Sequence, residues 1–141
     1  MRNNKGVTLV ALVITIIVLL ILAGVSLAML TGENGILTNA SQAKKDTLKA
    51  NYTSAVDMTY MELKTEFHAG KTMSTTAMET VASHYMSANE GTYSAAAGDE
   101  TGDFVLTFTP AANVESTGFQ ITWDAVTGPA APAVYTAPEG E

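Results

Sequence analysis

The sequence predicts an α+β fold in which a long N-terminal α-helix, apolar in its first half and amphipathic in its second, packs on a small antiparallel β-sheet. Three observations predict it. Val7 to Leu30 is a run of 24 residues without a charge, 16 of them Leu, Ile or Val. From Ile36 to about Ala69 apolar residues recur at helical spacing, with charges mostly on the other sides. Asp103 to Thr109 and Gly118 to Asp124 alternate apolar and polar residues, the pattern of half-buried strands.

The charge-free run spans most of the first segment, residues 7–31. Its Leu, Ile and Val side chains each favour transfer into a bilayer by roughly 0.3–0.6 kcal/mol, which sums to an upper bound of about 5–10 kcal/mol. As a helix it measures ~36 Å at ~1.5 Å per residue, enough to cross a hydrocarbon core of ~30 Å with a modest tilt. Gly24, Ala28 and Gly32 recur every four residues and put three small side chains on one stripe, where a neighbouring helix can approach closely. The other reading of that stripe is the ordinary abundance of Gly and Ala in membrane helices. Thr8, Thr15 and Ser26 need only bond back to carbonyls one turn earlier. The run ends at Thr31-Gly32-Glu33-Asn34-Gly35, where two glycines each weaken a helix by ~1 kcal/mol relative to alanine and predict a bend or hinge at residues 32–35.

A stalk helix over residues 36–70 follows. Leu37, Ala40, Leu48, Tyr52, Ala55, Val56, Tyr60, Leu63 and Phe67 form its apolar stripe, and Gly70 closes it. The aromatic members, Tyr52, Tyr60 and Phe67, read as core. Such a stripe needs a cover, and the only candidate within the chain is a small acidic α+β head at residues 71–141. In the head, Thr75 begins a shorter helix whose Met78, Val81, Ala82, Tyr85 and Met86 share a face, with Gly91 as its stop. Phe104, Leu106 and Phe108 then line one side of a strand, and Phe119, Ile121 and Trp123 the inward side of another. Thr92–Ala96 and Ala133–Thr136 are weaker edge candidates, the latter bounded by Pro132 and Pro138.

Composition narrows the function. The length of 141 residues suits one domain plus a membrane segment, and the absence of cysteine excludes disulfides and Cys-based metal sites. From Lys71 onward nine acids face that single base, a balance of −8. Such a surface repels phosphate backbones, so direct nucleic-acid binding is not expected. Lys44, Lys45, Lys49, Lys64 and Lys71 are mixed with Asp46, Asp57, Glu62 and Glu66. They read as a solvated helix face with near-neighbour pairs, or as a surface meeting the acidic face of another subunit. His68 and His84 form no metal-binding pattern, no serine has a nucleophile-elbow context, and no glycine-rich phosphate loop is present. No enzyme, no catalytic residue and no cofactor is therefore expected. Asp99, Glu100 and Asp103 cluster in one loop that would suit calcium in charge, although it lacks the twelve-residue calcium pattern and reads first as a solubilising turn. Asn39-Ala40-Ser41 and Asn51-Tyr52-Thr53 match the glycosylation sequon.

Three readings fit the N-terminus. A removable signal peptide would start at Arg2 and Lys5 and be cut after Ser26-Leu27-Ala28, but the apolar core is about twice the usual ~7–15 residues. A permanent single-span anchor fits the length, with Arg2 and Lys5 held in the cytoplasm. The third reading comes from the residues around Gly6. Lys5-Gly6, then Val7, Thr8, Leu9 and Val10, then an unbroken apolar helix, resembles the processing and methylation motif of type IV pilins and pseudopilins. Gly6, Thr8 and Leu9 match that family. Val7 stands for its usual Phe, Val10 for its Ile, and Ala11 for its glutamate. The break at residues 32–35 is similar to that of pilin-like proteins of Gram-positive bacteria, and the resemblance covers about the first third of the chain.

That resemblance implies a leader at residues 1–6, cut between Gly6 and Val7 by a prepilin peptidase that reads Lys5, Gly6, Val7, Thr8 and Leu9. It implies a membrane location before assembly and a cell-surface or extracellular filament afterwards, with other copies of the chain and the pilus assembly machinery as partners. Gly24, Ala28 and Gly32 would lie in the packed core, and the unwound part of the first helix that the family often shows would fall at Gly24 or at the hinge, Gly32 to Gly35. The architecture it implies, a helix packed on a small sheet, agrees with the one the periodicities predict. Ala11 changes one term. In the family the glutamate carboxylate neutralises a neighbour's N-terminal ammonium, and an unpaired charge in an apolar interior costs several kcal/mol. A minor or tip subunit, help from Thr8 or Thr15, or a retained leader would each meet that cost. A pseudopilin of a secretion or DNA-uptake machine and a single-span surface binding protein are the alternatives.

Overall fold

The computed structural model of the protein describes residues 4–136. Met1 to Asn3, which begin the expected leader and include Arg2, lie outside the described residues, as do Pro138, Glu139 and Glu141. The elements in order are α1 (Asn4–Thr31), α2 (Ile36–His68), α3 (Thr75–Ser83), β1 (Gly91–Ala97), β2 (Phe104–Pro110), β3 (Gly118–Asp124), β4 (Gly128–Pro129) and β5 (Ala133–Tyr135). This is the α+β arrangement the sequence predicts. The chain divides between Lys44 and Lys45 into two compact units.

In the first unit α1 is a single α-helix of 28 residues, unbroken at Gly24. Its hydroxyls behave as an apolar helix requires. Thr15 Oγ1 donates to the Ala11 carbonyl at 2.7 Å, Ser26 Oγ to Leu22 at 2.8 Å and Thr31 Oγ1 to Leu27 at 2.8 Å, so each of these three has an acceptor one turn back. Side chains from Lys5 to Thr31 are exposed throughout.

The second unit is a helix-on-sheet layer. From Leu48 to Phe67, α2 turns one stripe inward: Tyr52, Ala55, Val56, Thr59 and Leu63 are buried, and Leu48, Tyr60 and Phe67 pack against them. Thr59 is the one buried polar side chain among the described residues, and its hydroxyl is satisfied by the Ala55 carbonyl at 2.7 Å. Leu37 and Ala40, placed on the same stripe by spacing, are exposed. A Schellman motif ends the helix: Gly70 takes φ +79°, its N–H donates to Phe67 at 3.0 Å, and the Lys71 N–H reaches Glu66 at 3.1 Å. The lysine side chain closes the same turn on the Glu66 carboxylate at 3.2 Å.

Helix α3 begins at an N-cap, Ser74, whose Oγ accepts from the Ala77 N–H at 3.1 Å. It buries Met78, Val81 and Ala82, as its spacing predicts, and Met86 beyond its end is buried as well. Its stop is not Gly91. The helix ends at Ser83, and Gly91 instead opens β1, because strand backbone and a ring meet there: a Cβ would lie 2.5 Å from the Thr109 carbonyl oxygen and 3.1 Å from the Tyr52 ring.

The sheet runs β1-β2-β3-β4 in antiparallel order, with β5 also on β3. Register puts the predicted apolar residues opposite one another: Phe104 faces Trp123, Leu106 faces Ile121 and Phe108 faces Phe119. These cross-strand pairs are the inner face of the sheet, with Leu106, Phe108, Ile121 and Trp123 buried. The weak candidates at 92–96 and 133–136 are both strands and both lie on edges. A strand the alternation did not predict, β4, is too short to carry a period. It and β5 form one returning strand along β3, but Trp123 pairs with Pro129 whereas Phe119 pairs with Val134, so the register slips by one residue between them. That extra residue is a bulge across Ala130–Pro132, where proline has no N–H to give.

Candidate functional site

The predicted processing residues sit together at the start of α1. Lys5, Gly6, Val7, Thr8 and Leu9 are all helical and all exposed, and a Cβ on Gly6 would meet nothing within 4 Å. Gly6 is therefore not required by the packing of the chain on itself. The Gly6–Val7 bond lies inside the first turns of the helix rather than in an extended segment.

The three small residues differ from one another. Gly24 and Ala28 lie on the exposed surface of α1, and a Cβ on Gly24 would again meet nothing within 4 Å. Gly32 falls one residue past the helix, although its N–H still donates to the Ala28 carbonyl at 2.9 Å and so keeps the stripe in phase. A Cβ there would lie 2.7 Å from that same carbonyl oxygen.

Gly32 to Gly35 is where the helix breaks. The Gly35 N–H donates to Gly32 at 2.8 Å, and the Thr38 hydroxyl reaches back to the Gly32 carbonyl at 2.9 Å. Gly35 is buried, and a Cβ there would stand 2.6 Å from the Leu30 carbonyl oxygen, 2.7 Å from Met29 and 2.8 Å from Gly32. Three backbone carbonyls at the end of α1 crowd this position. Only a residue without a side chain lets the chain turn this tightly against them.

The other residues that the sequence singles out serve turns, pairs and the core. Asp103 in the acidic loop anchors the turn, its Oδ1 accepting from the Ala125 N–H at 3.0 Å, while Gly102 takes φ +93°. No three His, Cys, Asp or Glu side chains converge to hold a metal ion among the described residues. Asp124 accepts from the Thr127 and Val126 N–H groups at 3.0 and 2.7 Å, and these bonds, that from Thr127 first, hold its carboxyl below the usual carboxylate range. Of the stalk bases, Lys45 pairs with Glu115 at 3.1 Å and Lys71 with Glu66. Glu62 gathers His84 Nδ1 at 3.4 Å and the Tyr85 hydroxyl, and it pushes the Tyr85 phenol up from its ordinary value. Burial pushes the Tyr52 phenol up to about 12, with its hydroxyl donating to the Phe108 carbonyl at 3.3 Å. The sequons present Asn39 and Asn51 on exposed positions of α2.

Two arrangements escaped the periodicities. The Glu79 carboxylate reaches from α3 to accept the Ala95 N–H at 3.0 Å, occupying a donor of the edge strand β1. Met58 and Met61 stand exposed on α2 among residues of helical spacing. The first has no signal in one sequence, because the two partners are 16 residues apart on different elements.

The feature that remains is a fully exposed helix with the length and hydropathy of a membrane span, followed by a glycine-bounded break and a compact α+β unit. No family model, curated protein or solved structure matches the chain.

Proposed function

We propose that the protein is a structural subunit of a type IV pilus-like extracellular filament, held in the membrane by α1 before assembly and assembled through the same helix. One observation carries the reading. Side chains from Lys5 to Thr31 are exposed, and they include the whole charge-free run from Val7 to Leu30. Apolar surface on this scale is not left in water, so lipid or other protein chains must cover it. The Lys5-Gly6 junction and Thr8-Leu9 favour successive coverage by both: peptidase cleavage at Gly6, then packing of α1 against copies of itself through Gly24, Ala28 and Gly32, with Gly32 and Gly35 as the hinge. A pseudopilin of a secretion or DNA-uptake machine would differ in the length of the assembly, not in this chemistry.

A second reading is favoured by Ala11, which removes the carboxylate that would neutralise an N-terminal ammonium in a filament core. On that reading the protein is a single-span, membrane-anchored surface binding protein with its N-terminus intact. Electron microscopy and N-terminal mass analysis of shear-released material separate the two. Filaments whose subunits begin at Val7 support the pilin-like reading, and a detergent-extracted monomer beginning at Met1 overturns it. Within the filament reading, Gly24→Leu together with Ala28→Leu abolishes assembly and leaves the head folded, since both sites are exposed on α1 and lie outside the compact unit of residues 45–141. Normal filaments from that variant would remove any role for the stripe.

A further inference from the structure

Seven methionines occur in the chain, and the fold divides those of the second unit into two sets. Met73, Met78 and Met86 are 7 %, 0 % and 6 % exposed, and all belong to the core between helix and sheet. Met58 and Met61 are 51 % and 59 % exposed, on the side of α2 away from the buried stripe. They are three residues apart and therefore neighbours on the helix surface. Together with Glu62, Thr65 and Tyr85 they line one shallow groove.

We propose that Met58 and Met61 form an oxidation site, a pair of thioethers that take up oxygen from hydroperoxides while the core methionines are spared. Each thioether sulfur attacks the nearer peroxide oxygen. The O–O bond breaks, the sulfur is oxidised to the sulfoxide, and the peroxide is reduced to water or an alcohol once a proton has moved to the departing oxygen. Solvent access controls the rate, because a sulfur enclosed in packed side chains presents no lone pair to the oxidant. Location controls the consequence. A sulfoxide is polar, and at Met78 it would be forced into the core, whereas at Met58 and Met61 its oxygen faces water. The site thus tolerates a modification the interior does not, and sulfoxide reductases can reach the same exposed positions to reverse it.

The test uses the full chain in detergent, so its outcome does not depend on whether filaments form. Hydrogen peroxide is added in increments, and each methionine is followed by peptide mass mapping alongside the thermal unfolding of the protein. The expected result is sulfoxide at Met58 and Met61 at least ~10-fold faster than at Met73, Met78 and Met86, with the unfolding midpoint unchanged after the fast phase. In the variant Met58→Leu with Met61→Leu, that fast phase disappears from the second unit. Equal rates at Met78 and Met58, or a midpoint that falls as the fast phase proceeds, overturns the proposal.

Discussion

Helices α1 and α2 solve opposite problems. The first is apolar on every side and exposed along Lys5–Thr31, whereas the second is apolar on one stripe and covers that stripe with a sheet. The difference follows from where the polar residues sit. Lys45, Lys49, Asp57 and Lys64 keep the rest of α2 in water, so its burial is complete once Leu106, Phe108, Ile121 and Trp123 are in place. Helix α1 has no polar side to keep, and a small sheet could cover only a fraction of it. A helix with one apolar stripe can be satisfied within its own chain; a helix apolar all round has to be satisfied by something else.

The largest effect expected from breaking this contrast is in the covered region. Phe108→Ala empties a fully buried position on the inner face of β2 and is expected to cost the head about 3–5 kcal/mol of stability, measured by denaturant unfolding. A loss under ~1 kcal/mol would mean that the sheet is not the cover described here. Next comes the uncovered helix: Leu20→Arg places a charge at the middle of the charge-free run and is expected to disfavour membrane insertion by about 3 kcal/mol, with no change in head unfolding. Membrane fractionation together with a melting curve reads both halves of that statement.

Alkali sharpens the comparison further. The Tyr52 phenol is pushed up to about 12 in the folded protein from an ordinary value of 10.0, so the unfolded chain releases its proton first. The stabilising contribution is whole below about pH 10 and is lost as pH rises towards 12, an expected fall of roughly 3 kcal/mol at ~1.4 kcal/mol per unit. Tyr52→Phe is expected to flatten that part of the pH–stability curve. The smallest effect belongs to the surface pair. Lys45→Ala removes the contact with Glu115 at 3.1 Å, both side chains being well exposed, and should change stability by less than ~1 kcal/mol. A larger loss, persisting in high salt, would show that the contact anchors the 111–117 loop rather than decorating it.

The strongly periodic parts of the fold were legible. Leu106, Phe108, Ile121 and Trp123 announced their inward faces by alternation, and Tyr52, Leu63 and Phe67 by helical spacing. What escaped was set by contacts between distant residues. Gly91 looks like a helix stop in sequence, but its role is fixed by the Thr109 carbonyl and the Tyr52 ring. Strand β4 is two residues long and exists because β3 offers it a partner. At the candidate site, two glycines in four residues announced the break between α1 and α2, yet not that Gly35 faces three carbonyls while Gly24 faces none. Local spacing cannot reveal how near another part of the backbone will come.

By itself, then, the sequence determined which surfaces are apolar: the charge-free helix, one stripe of α2 and one face of each long strand. That information is local, because side-chain polarity and the 3.6- and 2-residue periods are properties of short segments. Tertiary structure alone decided which strands pair and in what register, where the bulge falls, which methionines are enclosed, and which glycines leave no room for a side chain. Those outcomes depend on distances between residues far apart in the chain, which take definite values only after the helix and the sheet have packed.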